Sequence, residues 1–219
     1  QAPALSAHWL AEELPFAPTG DQLRAIAEID EDLAGARAMQ RLLMGEVGSG
    51  KTVVALYAML RAVEHGHQAA LMAPTETLAE QHFATIQQLL GGESVACALL
   101  TGSTAARRRA DVLGKLASGE LSLIVGTHAL IEDAVRFHSL ALAVIDEQHR
   151  FGVGQRAALA ASGAAGQVPH ELHMTATPIP RTLALSQYGD LDITILRELP
   201  RGRQPIATPL DVGIRAINS

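Results

Sequence analysis

At 219 residues, 48% hydrophobic and 18% charged, the chain has the apolar content of one folded domain or slightly more, not that of a disordered tail. No run approaches the ~18 to 20 apolar residues of a membrane span. The single cysteine, Cys97, rules out an intrachain disulfide and a cysteine-based metal cluster, and its apolar run makes it a small buried residue. With 17 Lys+Arg against 23 Asp+Glu the net charge is −6, so bulk charge is not what would hold a polyanion; any nucleic-acid contact must be local.

In chain order, short apolar runs alternate with amphipathic segments. Strands are expected at Arg41–Met44, Gln68–Met72, Val95–Leu100, Leu121–Val125, Leu140–Ile145 and Glu171–Met174. Several lack polar alternation, as strands buried on both faces do. Helices are expected from Lys51 to His65, stopped by Gly66, and from Thr77 to Leu90, closed by Gly91-Gly92. A third should run to Ala117, with Ser103 as its N-cap and Ala106, Ala110, Leu113 and Ala117 on its packed face. Shorter helices are expected at Ala157–Ala165 and Thr182–Tyr188. The βαβα order predicts an α/β fold, a parallel sheet covered by helices. The compact domain is expected over residues 16–205, after an approach segment over 1–15 and before a linker that begins at 206–219. A chain running from Gln1 to Ser219 is expected to be a piece of a longer protein.

Gly45-Glu46-Val47-Gly48-Ser49-Gly50-Lys51-Thr52 fits G-x-x-x-x-G-K-[ST] between an apolar strand and a helix. Glycines there let backbone N–H groups turn inward on phosphate oxygens, and the helix N-terminus adds a favourable dipole. Lys51 would neutralise the β- and γ-phosphates of ATP, and the Thr52 hydroxyl would ligate Mg²⁺. The placement of Lys51 is telling in a chain with two lysines against fifteen arginines.

Asp146-Glu147 closes the run Leu142-Ala143-Val144-Ile145. Alone such a pair is usually a solvated turn; beside a P-loop it reads as Asp146 holding Mg²⁺, through water, and Glu147 polarising the attacking water. Since Asn218 is the only asparagine, the guanine-reading N-K-x-D motif is excluded, and no L-S-G-G-Q segment is present.

Asp146-Glu147-Gln148-His149 followed by Thr175-Ala176-Thr177 resembles the D-E-x-H and T-A-T elements of superfamily 2 helicases. So do Phe16 to Gln22 (F-x-x-T-x-x-Q), Met72 to His82 and Ile124 to Leu130, as well as VIDEQHRFGVGQR from Val144 and MTATPIPRTL from Met174. Within that superfamily the set is most similar to the bacterial ATP-dependent helicases that remodel branched DNA, over Leu14 to about Pro205.

The resemblance implies that Gln22 reads adenine, its amide matching the N6/N7 edge; without it, a surface glutamine is the ordinary reading. Gln148 and His149 would sense the γ-phosphate and relay to Thr175 and Thr177, which on their own read as strand-end hydroxyls. Pro74-Thr75-Glu76, Thr101-Gly102 and Gly126-Thr127-His128 would touch the DNA backbone from loops on one face, with a buried loop histidine the other reading of His128. Arg150, Arg156 and Arg181 would couple the site to DNA, whereas Arg107, Arg108 and Arg109 fan around a helix and read as a solvated face. Also implied are a P-loop NTPase fold for residues 16–205, as a first, ATP-binding lobe whose RecA-like parallel sheet is sandwiched between helices, and a second RecA-like lobe bearing an arginine finger. The resemblance further implies an N-terminal wedge domain, branched DNA (replication forks and four-way junctions) as partner, and a bacterial cytoplasmic, nucleoid-associated setting without a membrane.

The nearest rival is the transcription-repair coupling translocase, which shares R-F-G-V and T-A-T-P-I-P-R-T-L but tends to carry Glu at the position of Gln148. A non-motor nucleotide-binding module is a different class of reading, and one that has no need of Glu147 as a base.

Overall fold

The computed structural model describes residues 4–146, 167–176, 180, 182–183 and 191–197. Seven parallel strands form one sheet: β1 (Gln40–Gly45), β2 (Gln68–Met72), β3 (Cys97–Leu100), β4 (Leu123–Gly126), β5 (Leu140–Asp146), β6 (His170–Thr175) and β7 (Asp192–Leu196), in the order β3-β4-β2-β5-β6-β1-β7. The helices are α1 (Leu5–His8, continuing as a π-helical turn over Trp9–Glu13), α2 (Gly20–Ala34), α3 (Lys51–Glu64), α4 (Glu76–Leu90) and α5 (Ala106–Ser118).

Alternate residues of each strand feed different cores. Leu43, Leu71, Val125, Val144 and Leu172 pack under α2, α3 and α4, while Met72, Leu100, Ile124, Ala143 and Ile145 pack on the other face with Val112 and Leu116 of α5. This two-sided burial is why the central strands carry no polar alternation. Among the described residues no helix is long and apolar enough to cross a membrane.

Several elements differ from expectation. The helix α2 is announced by a capping box: Thr19 Oγ1 accepts from the Gln22 N–H and Gln22 Oε1 accepts from the Thr19 N–H. Sequence reading had placed those two residues in a family element without the helix that they start. The approach segment is helical and docked: Trp9 is fully buried and its indole N–H donates to Leu89 O at 2.7 Å. His8 meets Glu93 at 2.5 Å, and Glu13 accepts from the Gly92 N–H. β7 was not anticipated; Arg41 fastens it, reaching Thr194 of β7 and both Asp32 and Glu28 of α2.

On α5 the expected face is rotated. Ala106, Ala110 and Ala117 are exposed, and the buried residues are Val112 and Leu116. Alanines weigh little in burial, so the i,i+4 pair of larger side chains sets the seam. Ser103 is not the N-cap; Ala105 stands there. Arg107 and Arg108 are exposed, as a solvated face requires, while Arg109 pairs with Glu132 at 2.6 Å. Cys97, expected to be buried, is half-buried, and burial pushes its thiol up to about 12, which favours the protonated thiol.

The expected helix Ala157–Ala165 lies outside the described residues, as does most of Thr182–Tyr188; Thr182 and Leu183 are helical, and the Leu183 N–H donates to Pro180 O.

Candidate nucleotide site and nucleic-acid face

Because all seven strands are parallel, their C-terminal ends lie along a single edge, where ligands of open α/β sheets gather. Strand order sorts that edge. On the β3-β4-β2 side stand Thr101, Thr127 and Pro74-Thr75; on the β5-β6-β1 side stand Asp146, Thr175 and Gly45. Register sharpens the second group, since Asp146 pairs with Met174 and Thr175 with Met44. Asp146 and the P-loop are therefore two strands apart, roughly 10 Å at ~4.8 Å per strand.

Gly45 ends β1, and the loop turns through Gly48 and Gly50, both at φ +86°, into α3 at Lys51. Those left-handed positions are what a β-carbon would resist. Gly45 suits its place for another reason: a Cβ there would collide with the Ser49 hydroxyl and crowd the Cβ atoms of Ser49 and Leu196. Val47 is exposed at the loop's crest, and Glu46 beside it is exposed too. Thr52 is half-buried in the first turn of α3.

The Lys51 ammonium curls back over its own loop, donating to Gly45 O at 2.5 Å and Glu46 O at 3.2 Å. Burial lowers its pKa from the ordinary lysine value, against the opposing pull of the Asp146 carboxylate. Two neutral carbonyls are poor company for a half-buried cation. The nearby Ser49 hydroxyl is buried without a hydrogen-bond partner among the described residues. A cation short of counter-charge, an orphaned hydroxyl and a glycine-turned loop at a helix N-terminus are together what a phosphate chain would satisfy. The residues present fit a nucleotide phosphate.

Gln22 is fully buried beneath this loop. Its amide is spent within the protein, Oε1 accepting from Thr19 and Nε2 donating to Gly50 O at 3.2 Å. Asp146, at the end of β5, is held by a residue that the sequence placed in the family element Met72 to His82 without a role of its own: His82 Nε2 lies 2.6 Å from Asp146 Oδ2. The signal for it was present. His82 is three residues after buried Ala79 and four before buried Ile86, on the inward stripe of α4. Asp146 and Thr52 are the residues here that could hold Mg²⁺, as a carboxylate and a hydroxyl, both hard oxygen donors.

Of the remaining expected residues, Thr175 is buried at the end of β6. Glu147, Gln148, His149, Arg150, Arg156, Thr177 and Arg181 lie outside the described residues.

Across the edge, the expected DNA-contacting residues are brought together as one row of loops. The Ala73 N–H donates to Gly126 O and the Thr127 N–H to Leu100 O, lacing the ends of β2, β4 and β3. Pro74 is half-buried, Thr75, Gly102 and His128 are exposed, and Thr101 and Thr127 are buried. Thr75 caps α4 by accepting from the Leu78 N–H, and Thr127 accepts from the Ala129 N–H. Glu76 bridges two of these loops, its carboxylate accepting from both the N–H and the hydroxyl of Ser103 at 3.0 Å. That bridge is where Ser103 spends the side chain expected to cap α5. An open cleft of about 460 Å³, lined by His65, His67 and His170, lies at the opposite edge, where β5 and β6 begin, and has no part in this arrangement.

A parallel sheet flanked by helices, with a P-loop at the C-terminal end of one inner strand and a carboxylate at the end of another, defines a P-loop NTPase of RecA-like architecture. The DEAD/DEAH box helicase family matches residues 19–185, and the chain belongs to that family.

Relatives narrow the likeness. The ATP-dependent DNA helicase RecG of Mycobacterium bovis is 51% identical over 210 residues, covering 91% of this chain and 28% of the relative. The RecG helicase of Treponema pallidum is 52% identical over 199 residues, covering 89% and 29%. Among solved structures, that of RecG bound to a three-way DNA junction matches with a TM-score of 0.81 and 40% identity over 93% of this chain and 27% of that one. The chain thus spans a little over a quarter of the length of the relatives it matches.

Proposed function

We propose that the chain is the first motor lobe of an ATP-dependent DNA helicase that couples ATP hydrolysis to translocation on, and remodelling of, branched DNA in recombination and repair. The observation that carries this reading is the single sheet edge shared by two neighbouring sites: the phosphate cradle with Lys51 and Asp146, and the row of loops at Pro74-Thr75, Thr101-Gly102 and Thr127-His128. The RecG relatives support the choice of branched DNA over plain duplex.

Gly45, Glu46, Val47, Gly48, Ser49, Gly50, Lys51 and Thr52 cradle the phosphates, with the Lys51 ammonium leaving the Gly45 and Glu46 carbonyls for the β- and γ-phosphate oxygens. Thr52 and Asp146 hold Mg²⁺, which when bound supplies charge neutralisation for phosphoryl transfer. Glu147 polarises water as general base, and Gln148 and His149 relay to Thr175 and Thr177. For Gln22 to read adenine, its Nε2 must exchange Gly50 O for the base. The loops, with Arg150 and Arg181, take the DNA backbone through amides, hydroxyls and guanidinium groups. A second RecA-like lobe supplies the arginine finger, worth ~10³ to 10⁵ in rate, and a wedge domain selects the branch. This chain by itself therefore binds Mg-ATP weakly and hydrolyses it very slowly.

The test is the steady-state ATPase of the longer protein without DNA, with linear duplex, and with a fork or four-way junction. Selective stimulation by branched DNA is expected. Equal stimulation by linear duplex would replace this reading with a duplex translocase, and no stimulation would leave only a nucleotide-binding module.

A further inference from the structure

Asp146 sits at the seam between the two halves of the sheet edge. β5 neighbours β2, and β2 leads through Pro74-Thr75 directly into α4. In its second turn α4 presents His82, whose Nε2 is 2.6 Å from Asp146 Oδ2 with both side chains mostly buried. An ionised carboxylate only accepts, so the imidazole Nε2 carries the hydrogen and donates it. Asp146 Oδ2 is thereby committed to α4, which leaves Oδ1 as the oxygen open to a metal-bound water. Carboxylates at metal sites are commonly oriented by such outer partners, whose loss typically costs about 10- to 100-fold in metal affinity.

The helix that carries His82 is itself fixed at its start by loops of the opposite half. Thr75 caps it, and Glu76, its first residue, holds Ser103 by two hydrogen bonds. From Glu76 to His82 is six residues, about 9 Å of helix at 1.5 Å per residue. A single rigid element therefore touches both the loop row and the carboxylate.

We infer that His82 is a positioning residue: it orients Asp146 toward Mg²⁺ and, through α4, fastens that carboxylate to the loops expected to meet nucleic acid. This inference rests on the assignment of Asp146 to Mg²⁺ made above.

The experiment titrates Mg²⁺ into the longer protein with a fluorescent, non-hydrolysable ATP analogue, and measures the analogue's affinity in EDTA beside it. His82→Ala is expected to shift the Mg²⁺ midpoint upward about 10-fold with the EDTA affinity unchanged. His82→Gln, whose Nε2–H reaches a similar place, should recover most of that shift. Asp146→Asn should abolish the Mg²⁺ enhancement. A shifted Asp146→Asn beside an unshifted His82→Ala overturns this inference alone. An unshifted Asp146→Asn overturns the metal assignment and this inference with it. Equal losses in Mg²⁺ and EDTA for His82→Ala, unrescued by Gln, would make His82 merely structural and overturn it too.

Discussion

The two halves of the sheet edge are built from similar materials, namely strand ends, small residues, hydroxyls and a helix N-terminus, yet they hold their polar groups differently. On the β1 side the loop leaves needs unmet: among the described residues the Lys51 ammonium donates to two carbonyls and no carboxylate, and the Ser49 hydroxyl has no partner. On the β3-β4-β2 side the loops satisfy one another: Thr75 and Thr127 cap the turns that follow them, and Glu76 takes both donors of Ser103. An unmet group stores free energy that a ligand can release. A satisfied one makes a stiff surface whose spare hydroxyl protons and amides can meet a backbone of any sequence. The first design suits tight recognition of one chemical group, the second a sequence-independent track.

The largest test of that contrast is Lys51→Met. The charge-assisted contact of Lys51 to phosphate is worth ~1.5 to 3 kcal/mol, so nucleotide affinity should fall about 10- to 100-fold in a fluorescence titration. Thermal stability should hold or rise, because burial of the ammonium lowers its pKa in the folded chain and therefore opposes the charged form. The sign follows from linkage: a lysine whose folded pKa is depressed costs stability wherever the unfolded chain would bind the proton, and methionine removes that cost. A melting temperature that drops with the affinity would mean that the Lys51–carbonyl contacts are structural, and the contrast between the halves would break.

Thr75→Ala should do the reverse. Losing an N-cap costs ~1 kcal/mol, seen as a lower thermal midpoint, while nucleotide affinity stays near that of the unaltered chain, because Thr75 stands on the far side of Asp146 along the edge. Should nucleotide affinity fall instead, with stability intact, the two halves would be more tightly joined through α4 than the hydrogen bonds of Thr75 alone require.

How much of this could be read without coordinates depended on the size of the side chains involved. Strands such as Leu140–Asp146 and the loop Gly45–Thr52 declare themselves, because unbroken apolar runs and a glycine-lysine spacing have few other uses. The face of α5 did not, because three of the four residues expected on it are alanines, which pattern without packing. Trp9 was missed because one large residue in a short segment shows no period, although burying it binds residues 5–13 to α4. His82 was hidden among helical spacing that reads as core, and its partner is 64 residues away. Local rules reach caps and faces; a contact set by strand order needs the sheet. The capping role of Thr19 and the second use of Gln22 under Gly50 show the limit from the other direction, since a residue recognised for one role carried two.

The smallest expected effect belongs to Glu76, and it separates stiffness from charge on the second half. Glu76→Gln keeps an amide oxygen to accept from the Ser103 N–H and removes one negative charge from an exposed face. It also removes a favourable partner of the α4 dipole, worth ~0.3 to 1 kcal/mol at an exposed first turn, so the thermal midpoint should fall slightly. If this face meets phosphates, losing an anion should raise the affinity for a DNA oligonucleotide about twofold at low salt, read by fluorescence anisotropy. The gain should vanish as salt screens exposed charges beyond ~10 Å. A loss of DNA affinity at every salt concentration would show instead that the carboxylate's grip on Ser103 sets the shape of the track. The chemistry of the face would then lie in how Glu76 aligns the loops, and its charge would be the lesser matter.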